Sequence, residues 1–187
     1  PLETRGYFWN KDEEARMISV LAESFRLAEV FTISRGSRTE AKVLTVRLER
    51  DGLVGWGECV PYARYGETLE SVADEIRALP EGIDRITLQE TLPAGAARNA
   101  VDCALWDLRA KQEGLPAWRL AGLPEPKPTS TAYTLSLDTP EAMGEAAARA
   151  AGRPLLKLKL GRDGDIERLK AIRANAPQCR LIVDANE

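Results

Sequence analysis

The sequence predicts an α+β chain in two parts: an antiparallel meander with helices, then a β-α-β-α-β run that implies a parallel sheet. Three observations predict it. Leu44, Val46 and Leu48 alternate with Thr45, Arg47 and Glu49, the period-two mark of a half-buried strand. Leu69, Val72, Ile76 and Leu79 recur at helical spacing, as do Ala97, Ala100, Val101, Ala104, Leu105 and Leu108. Beyond Pro124, Pro126 and Pro128, short apolar strands alternate with helical stretches.

A chain of 187 residues has room for one large domain or two small ones, and for a real core. Residues 1–24 carry no clear period and read as a leader or an extra segment, with Met17 a candidate start of the folded part. The stretch lacks the basic region and apolar block of a signal peptide. The first domain is expected over 25–124. Its β pattern begins at Phe25 and is interrupted by the turn-rich Arg35-Gly36-Ser37-Arg38. Asp51-Gly52 predicts a hairpin turn, because both positions tolerate positive φ, and residues 53–60 form the return strand. Pro80 and Gly82 end the first helix; Gly114 closes the second, whose small residues allow close packing.

The prolines at 124–128 make a stiff linker, and the second domain is expected over 125–187. Residues 129–137 read as a strand. Thr139 caps and Pro140 opens a helix running to Gly152. Leu155–Leu160 is a strand. Asp165 is expected to cap a helix with Ile166, Leu169 and Ile172 inward, stopped by Pro177, and Arg180–Asp184 is the next strand. Three parallel strands cannot close a barrel. They leave two raw edges and leave Leu156, Leu158 and Leu160 short of covering. The expectation is therefore a piece of something larger, or pairing with another chain, with a small open sheet as the alternative.

Composition excludes more than it proposes. Lys and Arg number 26 against 29 Asp and Glu, a net charge of −3, which argues against nucleic acid or an anionic membrane as partner. The expected partner is a small molecule, and a homo-oligomer is compatible with the sequence. Cys59, Cys103 and Cys179 lie far apart with no CxxC, the pattern of reduced cytoplasmic thiols, and Cys59 and Cys103 read as small core residues. Histidine is absent, which removes His-based triads, His-ligated zinc and His general bases. Acid–base chemistry here falls to Lys, carboxylate, Tyr or Cys.

Two short stretches carry candidate chemistry. In Leu156-Lys157-Leu158-Lys159-Leu160-Gly161 the lysines share one strand face and the leucines the other. Both faces of a parallel sheet are normally covered. Crowding and burial each favour the neutral amine, which can act as a general base. The alternative is an exposed edge strand with two solvated lysines. In Leu181-Ile182-Val183-Asp184-Ala185-Asn186-Glu187 an apolar strand ends on a carboxylate. Sites of parallel α/β folds lie at such strand ends, and a hard oxygen ligand suits Mg²⁺. The alternative is a helix N-cap. Together, a base beside a divalent cation is the set needed to remove a proton next to a carboxylate. Gly55-Trp56-Gly57 lacks the third glycine of a dinucleotide fingerprint and reads as strand packing.

Over residues 25–187 the chain resembles the enolase superfamily, in its muconate-lactonizing-like subgroup, and within it the dipeptide epimerases of the L-Ala-D/L-Glu type. The resemblance rests on Arg35-Gly36-Ser37-Arg38, Gly55 to Cys59, Pro61 to Glu67, Asn99 to Asp102, Leu105 to Leu108, Lys157-Leu158-Lys159 and Val183 to Asn186. It implies an α+β capping domain followed by the first part of a modified TIM-type (β/α) barrel with parallel strands, here strands one to three. It implies Lys159 as the acid/base on one face of the substrate, with Lys157 assisting electrostatically, and Asp184 as the first of three ligands to one Mg²⁺ ion. That pairing of a Lys base with Mg²⁺ is a known feature of the superfamily. The remaining ligands and a second lysine are expected beyond Glu187. Arg35, in the loop Ser34–Arg38, and Thr134 are implied substrate contacts. The implied activity is a Mg²⁺-dependent isomerase: an epimerase that abstracts the proton α to a carboxylate through an enediolate, on a dipeptide such as L-Ala-L-Glu. The alternatives are an N-acylamino-acid racemase or cycloisomerase of the same subgroup, or a non-catalytic fragment or pseudoenzyme.

Overall fold

A computed structural model describes residues 17–33, 36–161 and 163–185. Arg35, singled out above, lies outside the described residues, as do Ser34 and Asn186. The chain divides into two compact units, one of Pro1–Arg26 with Ala41–Pro126, the other of Leu27–Glu40 with Lys127–Glu187.

The first unit is built on a three-stranded sheet in the order β1 (Ile18–Ile33), β2 (Gly36–Arg50), β3 (Leu53–Cys59). β2 and β3 pair antiparallel from Leu44↔Cys59 to Arg50↔Leu53. Their turn is left-handed at both central residues, with φ of 52° at Asp51 and 75° at Gly52, the two-residue geometry that follows strand twist. β1 starts at Ile18, ahead of the Phe25 expected. Ile18, Ser19 and Val20 are all buried, and Glu49 N donates to Met17 O at 2.8 Å. A segment buried on both faces has no alternation to betray it.

Helices α1 (Leu69–Arg77), α2 (Arg85–Thr91), α3 (Ala96–Glu113) and α4 (Ala117–Leu120) follow. Thr68 and Ser71 form a reciprocal capping box at the start of α1. Asp84 caps α2, and the bond it accepts from Thr87 N at 2.7 Å holds its carboxyl below the usual range. Neither α2 nor α4 is among the expected helices, being too short to show a period. α3 buries Ala97, Ala100, Val101, Ala104, Leu105 and Leu108, the face expected.

The Gly55-Trp56-Gly57 stretch, read as strand packing, packs against a helix. A Cβ on Gly55 would stand 2.1 Å from Ala104 O, and one on Gly57 2.0 Å from Ala100 O. The strand thus lies directly on the α3 backbone. Asp107 completes the join by accepting from Trp56 N at 2.8 Å and from Lys111 Nζ at 2.6 Å, while Lys111 also donates to Val54 O. These bonds occupy edge groups of β3 that would otherwise invite another strand.

The second unit carries a parallel sheet in the order β4 (Tyr133–Leu135), β5 (Leu155–Lys159), β6 (Arg180–Asp184), with helices α5 (Pro140–Arg149) and α6 (Asp165–Asn175) between them. An antiparallel sheet with helices is thus followed by a parallel β/α sheet, a capping domain and then the first strands of a barrel. β4 is shorter than the expected 129–137. Just past β4, the part of β1 from Leu27 on, which belongs to this same unit, joins it: Leu137 N donates to Thr32 O at 3.0 Å and Thr32 N donates to Ser136 Oγ at 2.7 Å. Two further expectations are corrected. Leu156 and Leu158 are fully covered, at 0% and 2% exposure, in a core with Met143, Ala147 and Ile172 from α5 and α6. Ile166 points outward at 60% exposure, and Asp165 is the first helical residue rather than the cap, which is Gly164 at φ 82°. Two helices thus cover Leu156 and Leu158, while Leu160 stays half-buried.

Cys59 is buried, but Cys103 is exposed, against the core position expected for it. Burial first, then the charges of Glu67 and Glu58, push the Cys59 thiol from its ordinary 9.0 up to about 11. A raised thiol value means that the neutral form is favoured by folding. That contribution is present below pH 9 and is lost as pH rises toward 11.

Two outcomes follow. At pH 8 a water-soluble maleimide should label Cys103 in the native protein and Cys59 only on unfolding, as read by peptide mass spectrometry; equal native labelling of both would contradict the burial. Gly57→Ala should cost about 3 kcal/mol, because the atom it meets is helix backbone that cannot rotate away. Urea denaturation measures it, and a loss below about 1 kcal/mol would show that α3 can shift freely.

Candidate functional site

β5 and β6 run parallel with Leu158 opposite Val183 and Lys159 opposite Asp184. β4 lies on the other side, with Thr134 opposite Lys157. Registered residues of a pleated sheet share a face. Leu156 and Leu158 therefore go to the helix-covered side, and Thr134, Lys157, Lys159 and Asp184 stand together on the other. The sheet is what converts an alternation in one strand into a cluster from three.

The cluster centres on one atom. Asp184 Oδ2 accepts from Lys159 Nζ at 2.5 Å and lies 2.9 Å from Lys157 Nζ. The side chains are 15% exposed for Lys159, 35% for Lys157 and 28% for Asp184, so Lys159 is the most enclosed of the three. Two ammoniums sharing one carboxylate leave the site net positive. The solvated edge-strand alternative does not describe it, since β5 is the central strand and both lysines are paired. Leu160 N donates to Asp184 O at 3.1 Å, extending the ladder past the strand ends and locking the two together.

Thr134 is half-buried and also lines a cavity of about 730 Å³ beside β4. Its other walls include Phe31, Arg38, Ser136 and Tyr133. The lysines and Asp184 are not part of that cavity's lining.

Asp184 suits a hard divalent cation by donor type and by its place at a strand end. Among the described residues no group of three or more His, Cys, Asp and Glu could hold a metal. Asp184 offers a single carboxylate, so the described residues do not by themselves make a metal site.

Sequence reasoning passes over Arg168. Its Nε donates to Asp138 O at 2.7 Å, and its Nη1 donates to Asp163 O at 2.8 Å and to Asp165 Oδ1 at 3.0 Å. Asp165 Oδ1 also accepts from Gly161 N at 2.9 Å. The only sequence signal for this network is the Asp165/Arg168 spacing at a helix start, which is common.

Among the described residues no helix is long and apolar enough to cross a membrane. Comparison with known proteins places the geometry in context. The chain is 46% identical over 178 residues to the L-Ala-D/L-Glu epimerase of Escherichia coli (strain K12), covering 92% of this chain and 56% of that protein. It is 46% identical over 140 residues to an N-acetyl-D-glutamate racemase of a Pseudoalteromonas species, covering 71% and 44%. Among solved structures, an enolase family member from Agrobacterium tumefaciens with homology to dipeptide epimerases, with sodium and L-Ala-L-Glu bound, matches with a TM-score of 0.85 at 49% identity, over 91% of this chain and 53% of that one. The dipeptide epimerase of Enterococcus faecalis V583, complexed with Mg and L-Leu-L-Tyr, matches with a TM-score of 0.81 at 31% identity, over 92% and 53%. The chain spans about half the length of the curated relatives it matches. Residues 15–122 match the family described as mandelate racemase / muconate lactonizing enzyme, N-terminal domain. With that match over more than half its length, on a fold shared with solved epimerases, the chain belongs to the mandelate racemase / muconate lactonizing enzyme family.

Proposed function

We propose that the protein is a Mg²⁺-dependent epimerase that removes and returns the proton α to a carboxylate, acting on a dipeptide of the L-Ala-L-Glu kind. The observation that carries the reading is the meeting of Lys157, Lys159 and Asp184 on one sheet face at the ends of parallel strands. The likeness to proteins solved with dipeptide and cation supports it.

Lys159, as the neutral amine, takes the α-proton on its Nζ from one face of one epimer. As the ammonium it delivers a proton to that same face when the other epimer reacts. Inversion also needs a second acid/base on the opposite face. The enclosure of Lys159 excludes water, which would otherwise compete for its nitrogen. Lys157, on the same carboxylate, adds positive charge where the substrate carboxylate gains negative charge on proton loss. Asp184 orients both lysines and would hold Mg²⁺. When bound, the ion supplies Lewis-acid stabilisation of the enediolate. Thr134, on the same face, contacts the substrate, and Arg35 with its loop Ser34–Arg38 selects it. We assign residues 25–124 as the capping domain and 125–187 as the start of the barrel. Scattered free thiols favour a reducing compartment, the cytoplasm. A second reading, racemisation of an N-acylamino acid, has support in the likeness to the N-acetyl-D-glutamate racemase. A panel of dipeptides and N-acylamino acids, scored for epimerisation by the full-length protein, decides between them.

In that protein Lys159→Ala should slow α-proton exchange with deuterated solvent by about 10²–10⁴-fold from one epimer, the usual worth of a general base. Exchange is followed separately from each epimer by NMR; unchanged rates from both would make Lys159 structural. Asp184→Asn should weaken Mg²⁺ by more than the about 10–100-fold typical of outer-shell changes. Titration calorimetry reads this without turnover, and an unaltered affinity would remove Asp184 from the metal site.

A further inference from the structure

We propose that Arg168 is a positioning residue for Lys159. It fastens the loop after β4 to the loop after β5 and so sets the mouth of the lysine–aspartate site. The proposal rests on the role given to Lys159 above.

A helix-start ion pair would need only Asp165, three residues before Arg168. Arg168 does more. One guanidinium edge reaches Asp138 O, in the loop after β4, and another reaches Asp163 O, in the loop after β5. A planar fork can hold two carbonyls in different directions at once, whereas a lysine is a single point donor. The pair is largely enclosed, with side-chain exposures of 20% for Arg168 and 19% for Asp165.

The network runs on toward the chemistry. Asp165 Oδ1, held by Arg168, accepts the amide hydrogen of Gly161. Gly161 stands two residues past Lys159, and the residue between, Leu160, donates its amide to Asp184 O. The loops also touch directly, since a Cβ on Gly161 would meet Leu137 Cδ2 at 2.9 Å. Removing the guanidinium frees two carbonyls and loosens Asp165 from Gly161. In folds of this kind the loops at the strand ends make the site, and a displacement of about 1 Å at a distance can cost about 10²-fold in rate.

The test uses the full-length protein as wild type, Arg168→Met and Arg168→Lys. Three quantities are measured: amide hydrogen exchange at Gly161, α-proton exchange from each epimer, and the thermal midpoint. The Met variant should exchange the Gly161 amide at least about tenfold faster. Its α-proton exchange should slow about 10–100-fold from the epimer whose proton Lys159 takes, and less from the other, while kcat for epimerisation falls in both directions together, with KM within about threefold. The Lys variant should lie between. It carries the test alone if the Met variant does not fold. A lower thermal midpoint with unchanged kcat for both epimers would make Arg168 merely structural and overturn the proposal. Unchanged exchange at Gly161 would overturn it as well. If the wild type turns over neither dipeptides nor N-acylamino acids, the proposed function fails, and with it the role of Arg168 toward Lys159, while faster Gly161 exchange would still uphold the loop fastening.

Discussion

Two ammoniums on one strand face repel, and the second unit answers that constraint with a single oxygen. Asp184 Oδ2 sits against both Lys157 and Lys159 because β6 runs parallel to β5 with Asp184 in the Lys159 row. Register is therefore the quantity on which the site depends. A slip of one residue would send Asp184 to the helix side and the lysines out of reach. What prevents the slip is the opposite face. Leu156 and Leu158 are locked under α5 and α6 with Met143, Ala147 and Ile172, so the apolar core holds the polar cluster in place. The alternation of lysine and leucine in five residues thus specifies packing and chemistry at once.

Much of the fold was legible because its signals are local. Alternation at 44–48, the Asp51-Gly52 turn and the small-residue face of α3 each depend on neighbours in sequence. The glycines at 55 and 57 read only as strand packing, because the α3 backbone they lie on, at Ala100 and Ala104, is far away in sequence. The start of β1 was not legible. Ile18 to Val20 is buried without alternation, so periodicity has nothing to report there. The covering of Leu156 and Leu158 was also misjudged, because counting strands for a closed ring says nothing of how much two helices can bury.

The site divides along the same line. Lys157, Lys159 and Asp184 are distinctive residue types at strand ends, and side-chain chemistry announces them. Thr134 became a same-face neighbour only through the β4–β5 register, which no single strand contains. Arg168 was invisible for a physical reason. Two of its partners are the carbonyls of Asp138 and Asp163, and a backbone carbonyl is the same in every residue. A cation that binds main chain leaves no partner to look for in the sequence.

The absence of histidine shapes what remains. A lysine used as a base must be enclosed, near other positive charge, and still anchored. The Lys159 side chain has the lowest exposure of the cluster, Lys157 stands beside it, and Asp184 anchors both. The resulting excess of positive charge suits any substrate bearing a carboxylate next to its labile proton. Dipeptides and N-acylamino acids share that feature and differ only in what lies beyond the α-carbon. The lysine–aspartate cluster by itself therefore offers no means of telling the two apart. The loops after β4 and β5, which Arg168 and Gly161 draw together, lie next to that cluster in sequence, Gly161 standing two residues past Lys159.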